Sequence, residues 1–160
     1  MKLWKKAADE HIVYEALTVI ADNRIDIEKA TEMSIAKCFS SSRNKFYTIN
    51  FNLKELSFMS DDNMAYYRDE VSYPILSVLL QENFLNFDKN ILPNFKNIFW
   101  KEINQKNKNN YMKSVEEFLE NISNEDLRIK IQKECLQIFL ELNKLELKVF
   151  GEKNLPPQKY

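Results

Sequence analysis

A single glycine, Gly151, serves the whole chain of 160 residues. Glycine reaches left-handed backbone without steric cost and lets the main chain approach a phosphate closely. A dinucleotide-binding fingerprint and a P-loop both need several glycines. A nucleophile elbow and a kinase phosphate loop need them too. None of these can be written with Gly151 alone. Tight turns must use Asn, Asp and Ser, which tolerate left-handed geometry or bond to their own backbone.

Other counts narrow the chemistry further. The chain has one His and two Cys. A zinc site usually draws four ligands from these types, and His11, Cys38 and Cys135 show neither a CxxC nor an HxxxH spacing. No cofactor is expected, and no catalytic residue is assigned. Both cysteines lie in apolar patterns, which reads as buried free thiols in a reducing compartment. Lys and Arg total 23 against 24 Asp and Glu, so no global basic field attracts nucleic acid or an anionic membrane. Apolar residues at 44% and charged residues at 29% describe neither a disordered tail nor a membrane protein. Residues 1–10 lack the apolar stretch of a secretory signal, and no apolar run approaches the roughly 20 residues that span a bilayer. A cytoplasmic location without a membrane partner is expected.

Hydrophobic spacing predicts a helix over residues 3–21. The next segment changes to period two. Ile25 and Ile27 alternate with acids, Met33, Ile35 and Phe39 share one side with Lys37 as an exception, and Tyr47, Ile49 and Phe51 share another. This is the signature of half-buried strands, and a further short strand is expected over residues 56–59. From Ser60 onward the pattern is helical. Ser60 is a candidate cap, Pro74 a break or kink, and Asp88 or Asn90 the start of a helix over residues 88–103. The polar residues 104–110 read as a surface loop. Residues 111–122 form an amphipathic helix, and a last helix runs to about Phe150, ended by Gly151.

The expected fold is α+β. It comprises an N-terminal helix, a small antiparallel β-meander of three or four strands, and a four- to five-helix C-terminal region ending in a long helix. Residues 1–151 form one domain and residues 152–160 a frayed tail.

Four features invite a functional reading. On the last helix, Ile131, Cys135, Ile138, Leu142, Leu145 and Val149 follow the spacing of a coiled-coil seam, and Ile129, Leu136, Leu140 and Leu147 form a second apolar set. One set faces the core. The reading adopted here assigns Ile131, Ile138, Leu142, Leu145 and Val149 to a protein partner or to self-association. The loop from Ser40 to Lys45 gathers hydroxyls and cations, so Ser41, Ser42, Arg43, Lys45 and Tyr47 suit a phosphate or a nucleic acid. Asp62, Tyr66, Asp69 and Tyr73 would share one face of a continuous helix, which makes Asp62 and Asp69 weak metal candidates. His11 stands four residues before Glu15, a spacing that puts imidazole and carboxylate on one helix face.

The leading expectation is a non-enzymatic protein-interaction module, an adaptor, inhibitor or subunit. The alternatives are a nucleic-acid-associated accessory protein using the Ser/Arg/Lys loop, and a small enzyme with a carboxylate site in residues 61–70.

Overall fold

A helix comes first in the chain, strands follow as a run, and helices follow as a second run. Helix α1 spans His11–Ala21. Strands β1 (Ile25–Glu28), β2 (Ser34–Phe39), β3 (Phe46–Asn52) and β4 (Ser57–Ser60) come next. Then come α2 (Asn63–Arg68), α3 (Tyr73–Gln81), a 3₁₀ helix (Lys89–Phe95), α4 (Trp100–Lys106), α5 (Tyr111–Glu120) and α6 (Glu125–Lys144), with a two-residue strand β5 (Lys148–Val149) after them. The fold is α+β. This computed structural model describes residues 2–157.

The sheet is ordered β1-β2-β3-β4-β5. Its first three pairings are antiparallel, and β5 joins β4 in parallel. Register follows the alternation of side chains. Ala36 pairs with Ile49 and Cys38 with Tyr47, and all four are buried. On β2 the buried face is therefore Ser34, Ala36 and Cys38, not the expected Met33, Ile35 and Phe39. Lys37, read as an exception, marks the outer face, where its Nζ lies 5.2 Å from the Phe46 ring centroid. The small inner residues of β2 let a helix approach closely.

That helix is α3, which lies between the sheet and α1. It is apolar all round because both sides are covered. Every residue from Pro74 to Leu80 is buried. Each fully buried Leu or Ile contributes about 1.5–3 kcal/mol before entropy is counted.

Left-handed backbone occurs at eight non-glycine residues among those described. Asn23, Asp69, Asn83 and Lys108 each follow a helix end, the position glycine usually fills. Asn97 separates the 3₁₀ helix from α4, so the expected helix over 88–103 is two elements. Pro74 sits in the first turn of α3, and the segment between Arg68 and Tyr73 is non-helical. Residues 104–110 are not a loop throughout, since α4 runs to Lys106.

The two ends of the described chain are joined. Residues 2–7 are extended rather than helical. Trp4 N–H donates to Leu147 O at 2.8 Å, and Val149 N–H donates to Lys2 O at 2.9 Å. Asn143 bonds Ala7 in both directions, receiving its N–H at 3.1 Å and donating to its carbonyl at 3.2 Å. Gly151, at φ 72°, follows β5 rather than α6. Of the expected frayed tail, Lys153 is anchored, its Nζ donating to Tyr66 O at 2.9 Å, while residues 158–160 lie outside the described residues.

Candidate functional site

The groove between α1, the β2–β3 hairpin and the start of α2 has two lobes. One encloses about 240 Å³ and is walled by α1, the hairpin loop and α4. The other encloses about 490 Å³ and extends past His11 toward Asp62 and Tyr111. Both are lined by Glu15, Tyr47, Asn63, Tyr73 and Asn104, so they form one cleft with a shared waist.

Glu15 reaches the waist from the middle of α1. Its Oε1 accepts from Asn104 Nδ2 at 3.0 Å. Burial raises the carboxyl above the ordinary glutamate range; nearby His11 and the bond from Asn104 oppose the rise. Tyr47 and Tyr73 stand edge-to-face with centroids 6.4 Å apart. Burial lifts both phenols above their ordinary range, so they are neutral donors at physiological pH.

The smaller lobe holds Arg24, which is only 2% exposed. Its Nη1 donates to Phe39 O at 2.7 Å and its Nη2 to Thr18 Oγ1 at 2.9 Å. Its Nε is buried with no hydrogen-bond partner; the nearest carboxylate oxygen, on Asp22, is 3.7 Å away. Trp100 shares this wall, and its buried indole Nε1 is also without a partner. In the larger lobe, His11 stacks on Tyr111 with centroids 4.3 Å apart, and its Nδ1 is bonded to the Asp9 carboxylate. Asp62 caps α2 by accepting from Ala65 N–H at 2.9 Å, and it also accepts from Ser60 Oγ and from Ser72 Oγ at 2.7 Å. The cap is therefore Asp62, and Ser60 supports it. Burial raises the Asp62 carboxyl, and its hydrogen bonds work against that rise.

The sequence candidates divide. Ser41, Ser42, Lys45 and Tyr47 do line the smaller lobe. Arg43 is not among its walls; it donates to Asp22 O at 2.9 Å. Lys106 pairs with Glu117 at 2.8 Å. Asp62 and Asp69 do not share a helix face, because α2 ends at Arg68. Asp69 binds Lys2 at 3.4 Å and also Lys153. Asp61 accepts from Thr48 N–H, and Glu70 from Ala8 N–H, both at 2.8 Å. Among the described residues no group of three or more His, Cys, Asp and Glu side chains is placed to hold a metal.

The expected partner face on α6 is corrected as well. Ile131, Ile138 and Leu142 are core residues at 1% exposure or less. Leu145 and Val149 lie beyond the helix end and are half-buried. The face left open carries Ile129, Leu136 and Leu140, at 43%, 44% and 48% exposure. Arg24, Trp100, Lys101 and Asn104 are cleft residues that sequence reasoning passed over. Only the polarity around Asn104 offered a local signal for any of them.

A family model described as "Uncharacterised conserved protein UCP014422" matches residues 5–148. The chain belongs to this family. No curated protein and no solved structure matches it. The UCP014422 span contains every wall residue of both lobes and ends at Lys148, the first residue of β5. Among the described residues no helix is long and apolar enough to cross a membrane.

Proposed function

We propose that this member of the UCP014422 family binds a small polar molecule in the cleft whose waist is Glu15 and Asn104. The observation that carries the reading is the shared waist: side chains from α1, β3, α2, α3 and α4 line both lobes. A concave site with a few convergent polar groups and carboxyls perturbed by burial is where a ligand is best desolvated and oriented. The cleft also collects the hydroxyls and lysine of the hairpin loop, which otherwise serve only a turn. The test is a thermal-shift screen of small phosphates, carboxylates, amines and neutral polyols on the unmutated chain and on Tyr73→Phe and Asn104→Ala. The reading expects at least one class to raise the melting temperature and lose that effect in Asn104→Ala. Silence from every class at millimolar concentration sinks it.

A second reading, of a protein-interaction module, is supported by the open face of α6. Ile129, Leu136 and Leu140 recur at helical spacing on the longest helix, and singly scattered surface apolar residues would not. Solution mass at high micromolar concentration, compared with a Leu136→Lys/Leu140→Lys variant, tests self-association. A monomer in both argues against it.

A further inference from the structure

We propose that the larger lobe of the cleft is an amine site, taking the ammonium group of a small organic amine at Glu15 and His11. This rests on the cleft being a ligand site and adds what the ligand must carry there.

Both side chains lie on one face of α1, four residues apart, and both line this lobe. His11 is only 6% exposed. Its Nδ1 is bonded to the Asp9 carboxylate, which accepts and cannot donate when ionised. The proton of the neutral ring therefore sits on Nδ1, and Nε2 is left as an acceptor. Nε2 makes no hydrogen bond among the described residues, yet it is not sealed within the protein. One ring face is stacked on Tyr111, so Nε2 keeps its access through the lobe that His11 lines. Glu15 repeats the pattern. Its Oε1 accepts from Asn104, while Oε2 makes no hydrogen bond among the described residues and is likewise unsealed. Two open acceptors on one rigid helix face call for a donor, and a protonated amine brings up to three N–H groups. Charge points the same way. The lining carries Glu15 and Asp62 against Arg68. Asp62 is answered by three hydrogen bonds, and Arg68 is exposed, where water and salt screen it. Arg24, which also acts on Glu15, is paired with Asp22 at 3.7 Å. Burial holds the Glu15 carboxyl above its ordinary range, and a cation beside Oε2 would offset that burial. An anion would meet only acceptors there. The volume of about 490 Å³ leaves room for the organic part of the amine beside Ile12, Met64 and Tyr73.

Calorimetric titration of the full chain at pH 8 with benzylamine, benzyl alcohol and phenylacetate tests this. The probes share an aromatic ring and differ in head group: a cation, a neutral hydroxyl and an anion. The expected result is saturable binding of benzylamine, about tenfold tighter than that of either other probe. Glu15→Gln, which keeps the shape and an acceptor for Asn104, should weaken benzylamine about tenfold, and His11→Phe should weaken it about threefold. If His11→Phe fails to fold, Glu15→Gln carries the comparison. Benzyl alcohol or phenylacetate binding as tightly as benzylamine overturns the amine assignment and leaves the cleft as a ligand site. Benzylamine affinity unchanged in Glu15→Gln does the same. Absence of binding by all three probes overturns the assignment; the cleft reading falls only if the broader thermal-shift screen is also silent.

Discussion

Asn104 Nδ2 donates to Glu15 Oε1 at 3.0 Å, across 89 residues of chain. The bond ties α4 to α1 where the two lobes of the cleft share their lining, and it holds a carboxyl that burial would rather keep protonated. Two opposed demands therefore meet in one side chain: the fold prefers it neutral, and Asn104 and Arg24 favour its charge.

That opposition has a pH signature. The folded chain retains a proton on Glu15 where the unfolded chain has released it, so stability falls as pH rises from the ordinary glutamate range through the raised folded value. Glu15→Gln removes the charge and should raise the melting temperature at pH 8 by about 2–4 °C, equivalent to about 1 kcal/mol for a chain of this size. Near pH 4 the gain should vanish. Calorimetric melts at the two pH values decide it, and a loss of the same size at both would refute the account.

Asp62 makes the opposite case, since its hydrogen bonds are the reason to keep it. Asp62→Ala strips the α2 cap and leaves the Ser60 and Ser72 hydroxyls without their acceptor. The expected cost is about 2–4 kcal/mol. Asp62→Asn retains one acceptor oxygen and should cost less than half of that. Urea denaturation of the two variants gives the ranking.

On α6, Ile138→Ala should cost about 2–5 kcal/mol, as expected for a fully buried side chain. Leu140→Ala, two residues on, should cost less than about 1 kcal/mol because the side chain is half in water. Equal costs in chemical denaturation would mean that the open face is covered in solution.

Both thiols are fully buried, and burial pushes the Cys38 thiol up to about 12 and raises that of Cys135 as well. The reactive thiolate is therefore scarce at neutral pH. An aromatic disulfide reagent should leave the native chain unlabelled over the minutes in which the urea-unfolded chain reacts completely. Prompt native labelling of either residue would show that its surroundings open readily.

The strands were legible because period two is a local property, readable from Tyr47, Ile49 and Phe51 alone. β5 was not, since Val149 continues the helical spacing of Leu142 and Leu145 and its partner strand lies some 90 residues earlier. The break at Asn97 depends on a tertiary contact: its N–H donates to the Asp22 carboxylate at 3.1 Å. The cleft was legible only in fragments. The Ser/Lys loop and the His11–Glu15 spacing could be seen singly, but nothing local marks Arg24 as a buried guanidinium or places Trp100 beside it. Choosing between the two faces of α6 needed the packing, because both sets of apolar residues recur at helical spacing.

Residues 2–7 are paired with residues 143–149, so the β4 edge is covered only after the far end of this span has been made. A ribosome-bound nascent chain stopped before Asn143 would carry most of its core residues yet lack the clasp that seals them. Such a stalled chain should be cut by protease in its first residues, and release of a chain extended past Phe150 should abolish that cleavage.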